Sequence, residues 1–221
     1  GLWTLDIQRT DDPSVHSMTC RILYMCAGYY SYKNGYTPKF PGIETYEGTL
    51  VHPQQWPKNL DYTDKTVVII GSGATAITLV PAMAEKARHV TMVQRSPTYV
   101  FSWPAKDRIA NILKTLLPRR WAYALSRLKN ITMQQAFYRF SQRHPLKTKR
   151  RLLKRVRQQL GPDFDTETHF NPTYNPWEQR LCLTPDGDLF TSLKNKSASV
   201  VTDSIVRFTP TGLLLQSGQT L

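Results

Sequence analysis

An α/β fold with a parallel sheet and a basic block of helices is what this 221-residue sequence predicts, and three observations predict it. The β-branched apolar run Thr66-Val67-Val68-Ile69-Ile70 is too short for a helix and has the unbroken apolar character of a strand covered on both faces. It passes without a gap into Gly71-Ser72-Gly73-Ala74-Thr75-Ala76, a helical stretch over residues 74–86 and a second strand over residues 89–94. Beyond Pro97 the character changes. Residues 106–157 hold sixteen Lys and Arg against one acid, Asp107, more positive charge than the whole chain's net +13, with apolar residues recurring at helical spacing.

Strand, glycine turn, helix and strand make a right-handed crossover, with Ile77, Val80, Pro81 and Ala84 expected to face the sheet. In such a unit Gly71 permits the tight turn, Gly73 lets the backbone approach a pyrophosphate, and Ala76 is small enough for the helix to sit on the strand. Phosphates would meet the unpaired N–H groups at the positive end of the helix. The turn as a whole, Gly71, Ser72, Gly73, Ala74, Thr75 and Ala76, is therefore the candidate binding loop of a Rossmann-like dinucleotide domain. The alternative is a glycine-rich turn that serves packing alone.

The end of the second strand selects the dinucleotide. NAD sites place Asp or Glu there to accept from the ribose 2′-hydroxyl. This chain has Gln94-Arg95-Ser96. The Arg95 guanidinium offers a planar fork of donors to a 2′-phosphate and Ser96 a hydroxyl donor, which favours NADP(H). The competing role for Arg95 is an ordinary solvated cation.

Just upstream, Tyr46-Glu47-Gly48-Thr49-Leu50-Val51-His52-Pro53-Gln54-Gln55-Trp56-Pro57 resembles the fingerprint of the Baeyer-Villiger monooxygenases, among the class B flavoprotein monooxygenases: F-x-G-x-x-x-H-x-x-x-W followed by Pro or Asp. Gly48, His52, Trp56 and Pro57 match it, and Tyr46 replaces the Phe. The resemblance extends through Gly28-Tyr29-Tyr30-Ser31, the glycine turn, Gln94-Arg95-Ser96-Pro97 and Tyr174-Asn175-Pro176-Trp177. It implies a central part of a two-dinucleotide-binding flavoprotein: residues 1–44 as the tail of an FAD domain and a linker, residues 45–221 as an NADP domain, and residues 102–176 as its helical insertion. The implied activity is NADPH- and FAD-dependent oxygenation, inserting one atom of dioxygen into a ketone or transferring it to a sulfide through a flavin C4a-peroxide.

By the same resemblance Arg180 matches the arginine beside the flavin, where a fixed cation would stabilise the peroxide anion. From the residues alone, Arg180 is equally an interdomain salt-bridge partner. His52 is implied to couple cofactor binding to domain movement; without the resemblance, a buried His beside a packed Trp is the commoner explanation of His52 and Trp56. Two further positions depart from the family's pattern: Gln179 stands where many relatives carry Lys, and Ala27 where Thr is usual. FAD's own pyrophosphate loop is not among these residues, so the 221 residues alone are expected to bind flavin poorly and to lack oxygenase activity.

The rest of the chain sets limits. No run of about 18 apolar residues could span a bilayer, and the first residues lack a basic, apolar leader. Cys20, Cys26 and Cys182 have no metal-ligand spacing, and no metal site is expected; they fit reduced thiols of a cytoplasmic protein. Residues 3–7 and 18–26 read as strands joined through Asp11-Asp12-Pro13, with Gly28 able to take positive φ where the chain leaves them. Residues 29–41 form an aromatic loop. Residues 171–180 read as irregular and packed around Trp177, residues 189–194 as a helix, and residues 198–202, 206–209 and 212–216 as strands.

The basic block reads as about three amphipathic helices broken at Pro118 and Pro145. Three roles compete for it: a solvated helical face, peripheral contact with anionic lipid, and, least favoured, nucleic acid, for which no accompanying signature is present. The other classes left open are a different two-dinucleotide flavoprotein reductase and a basic membrane-surface or nucleic-acid binding module.

Overall fold

The computed structural model describes residues 1–28 and 31–221; Tyr29 and Tyr30 lie outside it. The chain forms two compact units, Gly1–Thr37 with His52–Gln55, and Pro38–Val51 with Trp56–Leu221.

The first unit is built on an antiparallel hairpin, β1 (Trp3–Arg9) and β2 (Asp12–Cys20), with Trp3 opposite Cys20 and Arg9 opposite Asp12. This corrects the expected second strand of residues 18–26. Arg9 closes the turn by bonding the Asp11 carboxylate at 2.8 and 2.9 Å, so Asp12 and Pro13 already belong to β2. Pro13 is tolerated there because a two-stranded ribbon has a free edge on which a missing N–H costs nothing. Cys20 and Cys26 therefore share no strand, and all three cysteines are free. Gly28 has the expected positive φ, +74°, but it lies well beyond the end of β2 and not where a strand leaves the sheet.

The second unit runs β3 (Thr66–Ile70), α1 (Ala74–Ala84), β4 (His89–Gln94), β5 (Tyr99–Trp103), α2 (Arg108–Leu116), α3 (Arg119–Arg143), α4 (Pro145–Leu160), α5 (Thr166–Phe170), β6 (Leu181–Pro185), α6 (Asp188–Lys194), β7 (Ala198–Thr202), β8 (Ile205–Thr209) and β9 (Gly212–Leu215). Its central sheet has the order β3-β4-β7, parallel throughout, with Thr66 beside His89 and Val90 beside Ala198. A parallel sheet must be covered on both faces. On one, Ile77 and Val80 of α1 pack with Ile69, Val90 and Met92, joined by Leu189, Phe190 and Leu193 of α6 and Val156 and Leu160 of α4. On the other, Val68, Val93 and Val201 meet Phe208, Leu213 and Leu215 of the antiparallel β8–β9 hairpin. Of the α1 residues expected to face the sheet, Ile77, Val80 and Pro81 are buried, with Ala76 and Met83, while Ala84 is partly buried against the same core.

The inserted helices begin and end where the prolines stand. Pro118 separates α2 from α3, and Pro145 is the first residue of α4, where its missing N–H is not needed. Asp107, the lone acid of this stretch, caps α2 by accepting from Ala110 N–H at 3.0 Å and pairs with Lys129 at 2.5 Å. The stripe of α4 is buried at Leu152, Leu153, Val156 and Leu160, whereas Ile109, Ile112 and Leu116 of α2 and Trp121, Leu125 and Leu128 of α3 are exposed. One sheet went unread in the sequence: β5 pairs in parallel with β6, Tyr99 beside Leu181, on either side of the helical insertion. Among the described residues no helix is long and apolar enough to cross a membrane.

Candidate nucleotide site

The C-terminal end of β3 turns through Gly71 at φ +125°, a conformation that only glycine adopts without strain. Gly71 N–H donates to Val93 O at 2.8 Å, which fixes the turn to β4. Gly73, the N-cap of α1, has φ −76° and ψ 177°, which any residue could take. Among the described residues, a Cβ built at Gly73 would meet no atom within 4 Å other than its own chain neighbours. Neither backbone conformation nor protein packing explains a glycine there, whereas space for a group lying against the backbone does. No side chain caps α1 and no acid stands in its first turn, so its leading N–H groups and positive end are open to an anion. Ala74 and Thr75 are exposed at this end, and Ala76 is buried in the core as the small residue seating helix on strand. These residues fit a pyrophosphate.

Ser72 is turned the other way. It is buried, its hydroxyl donating weakly to Ser96 O at 3.4 Å and lying 3.3 Å from the Thr98 hydroxyl. Its contribution to a phosphate is thus its backbone N–H, while its side chain holds the glycine turn against residues 96–98. Arg95 and Ser96 are both exposed at the end of β4, and Arg95 makes no ion pair among the described residues. Beside them the Cys182 thiol lies 4.0 Å from Ser72 O, which brings the start of β6 to the same turn. Arg180, two residues earlier, is exposed, and its carbonyl accepts from the Tyr174 hydroxyl at 2.9 Å. Three segments thus converge, the glycine turn, residues 95–98 and the start of β6. Burial pushes the Cys182 thiol above its ordinary pKa, opposed by the nearby Arg180, so it is a packed thiol and not a nucleophile.

Behind Arg95 is a buried polar network that the sequence did not reveal. Gln94, almost wholly buried, donates to His169 O at 2.8 Å and to the Thr202 hydroxyl at 2.9 Å. His169 Nδ1 lies 2.8 Å from the same hydroxyl, and burial holds this imidazole below its usual pKa despite the opposing Asp165. The network ties the end of β4 to α5 and β7 and so fixes where Arg95 leaves the sheet. A long polar residue closing an otherwise apolar strand was its only signal.

A second anchor supports Arg180. Tyr99 is buried, donates to Tyr174 O at 2.6 Å and packs edge-on against the Tyr174 ring at 5.3 Å. Burial raises its hydroxyl pKa to about 12, so it stays a donor at every working pH. Trp177, expected at the centre of this segment, is partly exposed at φ +74° and rests edge-on against Phe137 and Tyr138. The Tyr99–Tyr174 pair, with Tyr99 buried, is the tighter packing centre.

The upstream pattern divides between the two units. In the larger, Tyr46 packs edge-on against Phe208 at 5.7 Å, and a Cβ at Gly48 would come within 2.3 Å of the Tyr46 hydroxyl, so only glycine lets that ring lie where it does. His52 belongs to the smaller unit, its ring lying across Gly35, where a Cβ would collide at 1.9 Å, and its Nδ1 accepts from Gln54 N–H at 3.3 Å. Pro53 opens a short 3-10 turn, Pro53–Gln55. Trp56, partly exposed, and Pro57 belong to the larger unit again. Among the described residues no group of His, Cys, Asp and Glu is placed to hold a metal ion.

A family model described as flavin-binding monooxygenase-like matches residues 2–154. The FAD-containing monooxygenase EthA of Mycobacterium tuberculosis is 48% identical over 220 residues, 99% of this chain and 45% of that protein. A protein named "Probable FAD-binding monooxygenase AlmA" from Acinetobacter baylyi is 52% identical over 197 residues, 89% of this chain and 39% of its own length. Among solved structures, OTEMO in complex with FAD and NADP is similar with a TM-score of 0.68 at 19% identity, covering 98% of this chain and 49% of that one. The chain thus spans less than half the length of these relatives. The α/β fold with its Rossmann-like unit and helical insertion is the one it shares with the solved structure.

Proposed function

Because this chain belongs to the flavin-binding monooxygenase-like family, we propose that it is the NADPH-binding part of an FAD-dependent monooxygenase that inserts one oxygen atom into ketones or transfers it to sulfides. The net reaction consumes substrate, dioxygen, NADPH and a proton, and yields the ester or sulfoxide, NADP⁺ and water. When bound, the flavin supplies hydride acceptance from NADPH and the reduction of dioxygen. Residues 45–221 serve as the nucleotide domain and residues 1–44 as part of the flavin domain and linker.

In this proposal Gly71 and Gly73 let the pyrophosphate lie against the first turn of α1, where the N–H groups of residues 72–76 receive it. Arg95 and Ser96 donate to the 2′-phosphate, and the Gln94 network keeps that guanidinium at the edge of the crevice. Arg180 holds a positive charge where negative charge builds up as dioxygen is reduced. Of the upstream pattern, Tyr46, Gly48, Trp56 and Pro57 belong to the larger unit and His52 to the smaller, and His52 takes a conformational role and not that of a proton donor. The observation that carries this reading is the unexplained glycine at position 73.

The test is to express the complete reading frame, supply NADPH with a cyclic ketone or an alkyl aryl sulfide, and identify products by mass spectrometry. Lactone or sulfoxide formed in step with NADPH consumption is expected. NADPH oxidation with no oxygenated product would instead indicate a flavoprotein reductase.

A second role for the basic helices is supported by one observation: the exposed Ile109, Ile112, Leu116 and Trp121 lie among Arg108, Lys114, Arg119 and Arg120. Apolar residues ringed by cations are suited to the surface of an anionic bilayer. Co-sedimentation with phosphatidylglycerol vesicles, weakened by salt and by the I112E/L116E double substitution, is the expected result; equal pelleting of wild type and variant would remove this role.

A further inference from the structure

A groove of about 870 Å³ lies between α3, α4 and the β5–β6 sheet, and none of the residues assigned to NADPH, flavin or the upstream pattern lines it. Its walls are apolar and aromatic: Phe101 and Trp103 of β5, Met133 and Phe137 of α3, and Leu183 of β6. Along one edge stand three cations of α4, Arg151, Lys154 and Arg155.

These cations are placed at a cost to the free protein. Arg151 and Arg155 are one helical turn apart, a spacing at which like charges repel, and Lys154 adds a third. Among the described residues none of the three has an acidic partner. The acid lining the groove, Asp107, is already engaged by the Ala110 N–H and by Lys129. The Arg151 guanidinium is held 4.9 Å from the centre of the Phe140 ring, so its charge is fixed beside the apolar wall. An apolar trough of this size closed at one edge by unpaired guanidinium groups is complementary to a molecule with a long hydrocarbon tail and a planar anionic head.

We propose that this groove binds long-chain carboxylates, the tail lying between Phe101, Met133, Phe137 and Leu183 and the head paired with Arg151 and Arg155. A free inorganic anion would satisfy the cations and leave the walls in water; an alcohol of equal length would fill the walls and leave the cations unpaired. The site is separate from the nucleotide crevice, so it stands or falls independently of the proposed oxygenation.

The experiment is isothermal titration calorimetry on the full-length protein, with each amphiphile below its micellar concentration. Dodecanoate is expected to bind at least tenfold more tightly than dodecanol or inorganic phosphate, and each methylene from octanoate to dodecanoate to tighten binding about fourfold until the groove is full. The R151Q/R155Q double substitution should weaken dodecanoate at least tenfold without changing dodecanol, and M133E, which adds an acid to the wall, should repel dodecanoate. K86Q/K194Q, which removes two exposed cations that do not line the groove, should match wild type. Equal binding of dodecanoate and dodecanol, phosphate binding as tightly as dodecanoate, no binding at all, or an equal loss in K86Q/K194Q would each overturn the proposal; circular dichroism confirms that every variant is folded.

Discussion

Around β4 the chain buries almost every apolar side chain it has, whereas α2 and the first half of α3 leave most of theirs in solvent. Val90, Met92 and Val93 sit between α1 and α6 on one face and the β8–β9 hairpin on the other. Ile112 and Leu116 are 57% and 73% exposed on a helix of equally regular apolar spacing. α4 and α2 both have the residue types and the period that form an amphipathic element. What separates them is a partner: α4 is pressed onto the sheet core through Val156 and Leu160, and among the described residues α2 meets no comparable surface. Periodicity therefore establishes that a face exists, while burial depends on what the fold brings to it.

The contrast can be broken most forcefully in the core. Phe190→Ala, at a ring only 2% exposed and packed on Phe170 at 5.7 Å, should destabilise the chain by about 3–5 kcal/mol in urea unfolding, from lost burial and the cavity left behind. Ile112→Ala on α2 should change stability by less than ~0.5 kcal/mol, and a loss comparable to Phe190→Ala would mean that α2 is covered after all.

At the edge of the well-buried region, Arg95→Ala should leave unfolding unchanged and weaken NADPH by about 1.5–3 kcal/mol, the range of a lost charge-assisted hydrogen bond, while NADH is scarcely affected. Equal loss for the two coenzymes would remove Arg95 from the 2′-phosphate.

A smaller effect comes from His169. Its folded pKa is below the ordinary 6.5 of an unfolded histidine because burial disfavours the charged ring. The unfolded chain therefore takes up the proton first, so this contribution is complete above pH ~6.5 and is lost as the pH falls through that value, levelling off below the folded pKa. His169→Gln should flatten that part of the stability profile; an unchanged profile would place the acid sensitivity elsewhere.

Much of the sheet and its glycine turn was legible because its signals are local. A β-branched run, two glycines and a helix follow within twenty residues, and β3, β4 and β7 fall where residues 66–70, 89–94 and 198–202 were read. Pro118 and Pro145 likewise mark helix breaks by their own chemistry. The β5–β6 sheet was not legible, since Tyr99 and Leu181 pair across the whole helical insertion and nothing local to either five-residue run names its partner. Sequence distance likewise hid Gln94 and His169, whose mutual hydrogen bond joins residues 75 apart. At the site, Gly71 and Gly73 could be named from spacing, but the inward turn of Ser72 could not, because it depends on Thr98 lying beneath it. The β2 boundary failed for a local reason: Arg9 and Asp11 closed a tighter turn than Asp12-Pro13 advertises.

The central claim is that the open end of α1 is shaped for a pyrophosphate, and Gly73 tests it most directly. Gly73→Ala puts a methyl group into space that no protein atom occupies, at a backbone conformation alanine accepts. Calorimetric titration with NADPH, alongside the thermal midpoint of the same protein, should show binding weakened at least tenfold, about 1.4 kcal/mol, with the midpoint unchanged. Undiminished NADPH affinity in that variant would contradict the account.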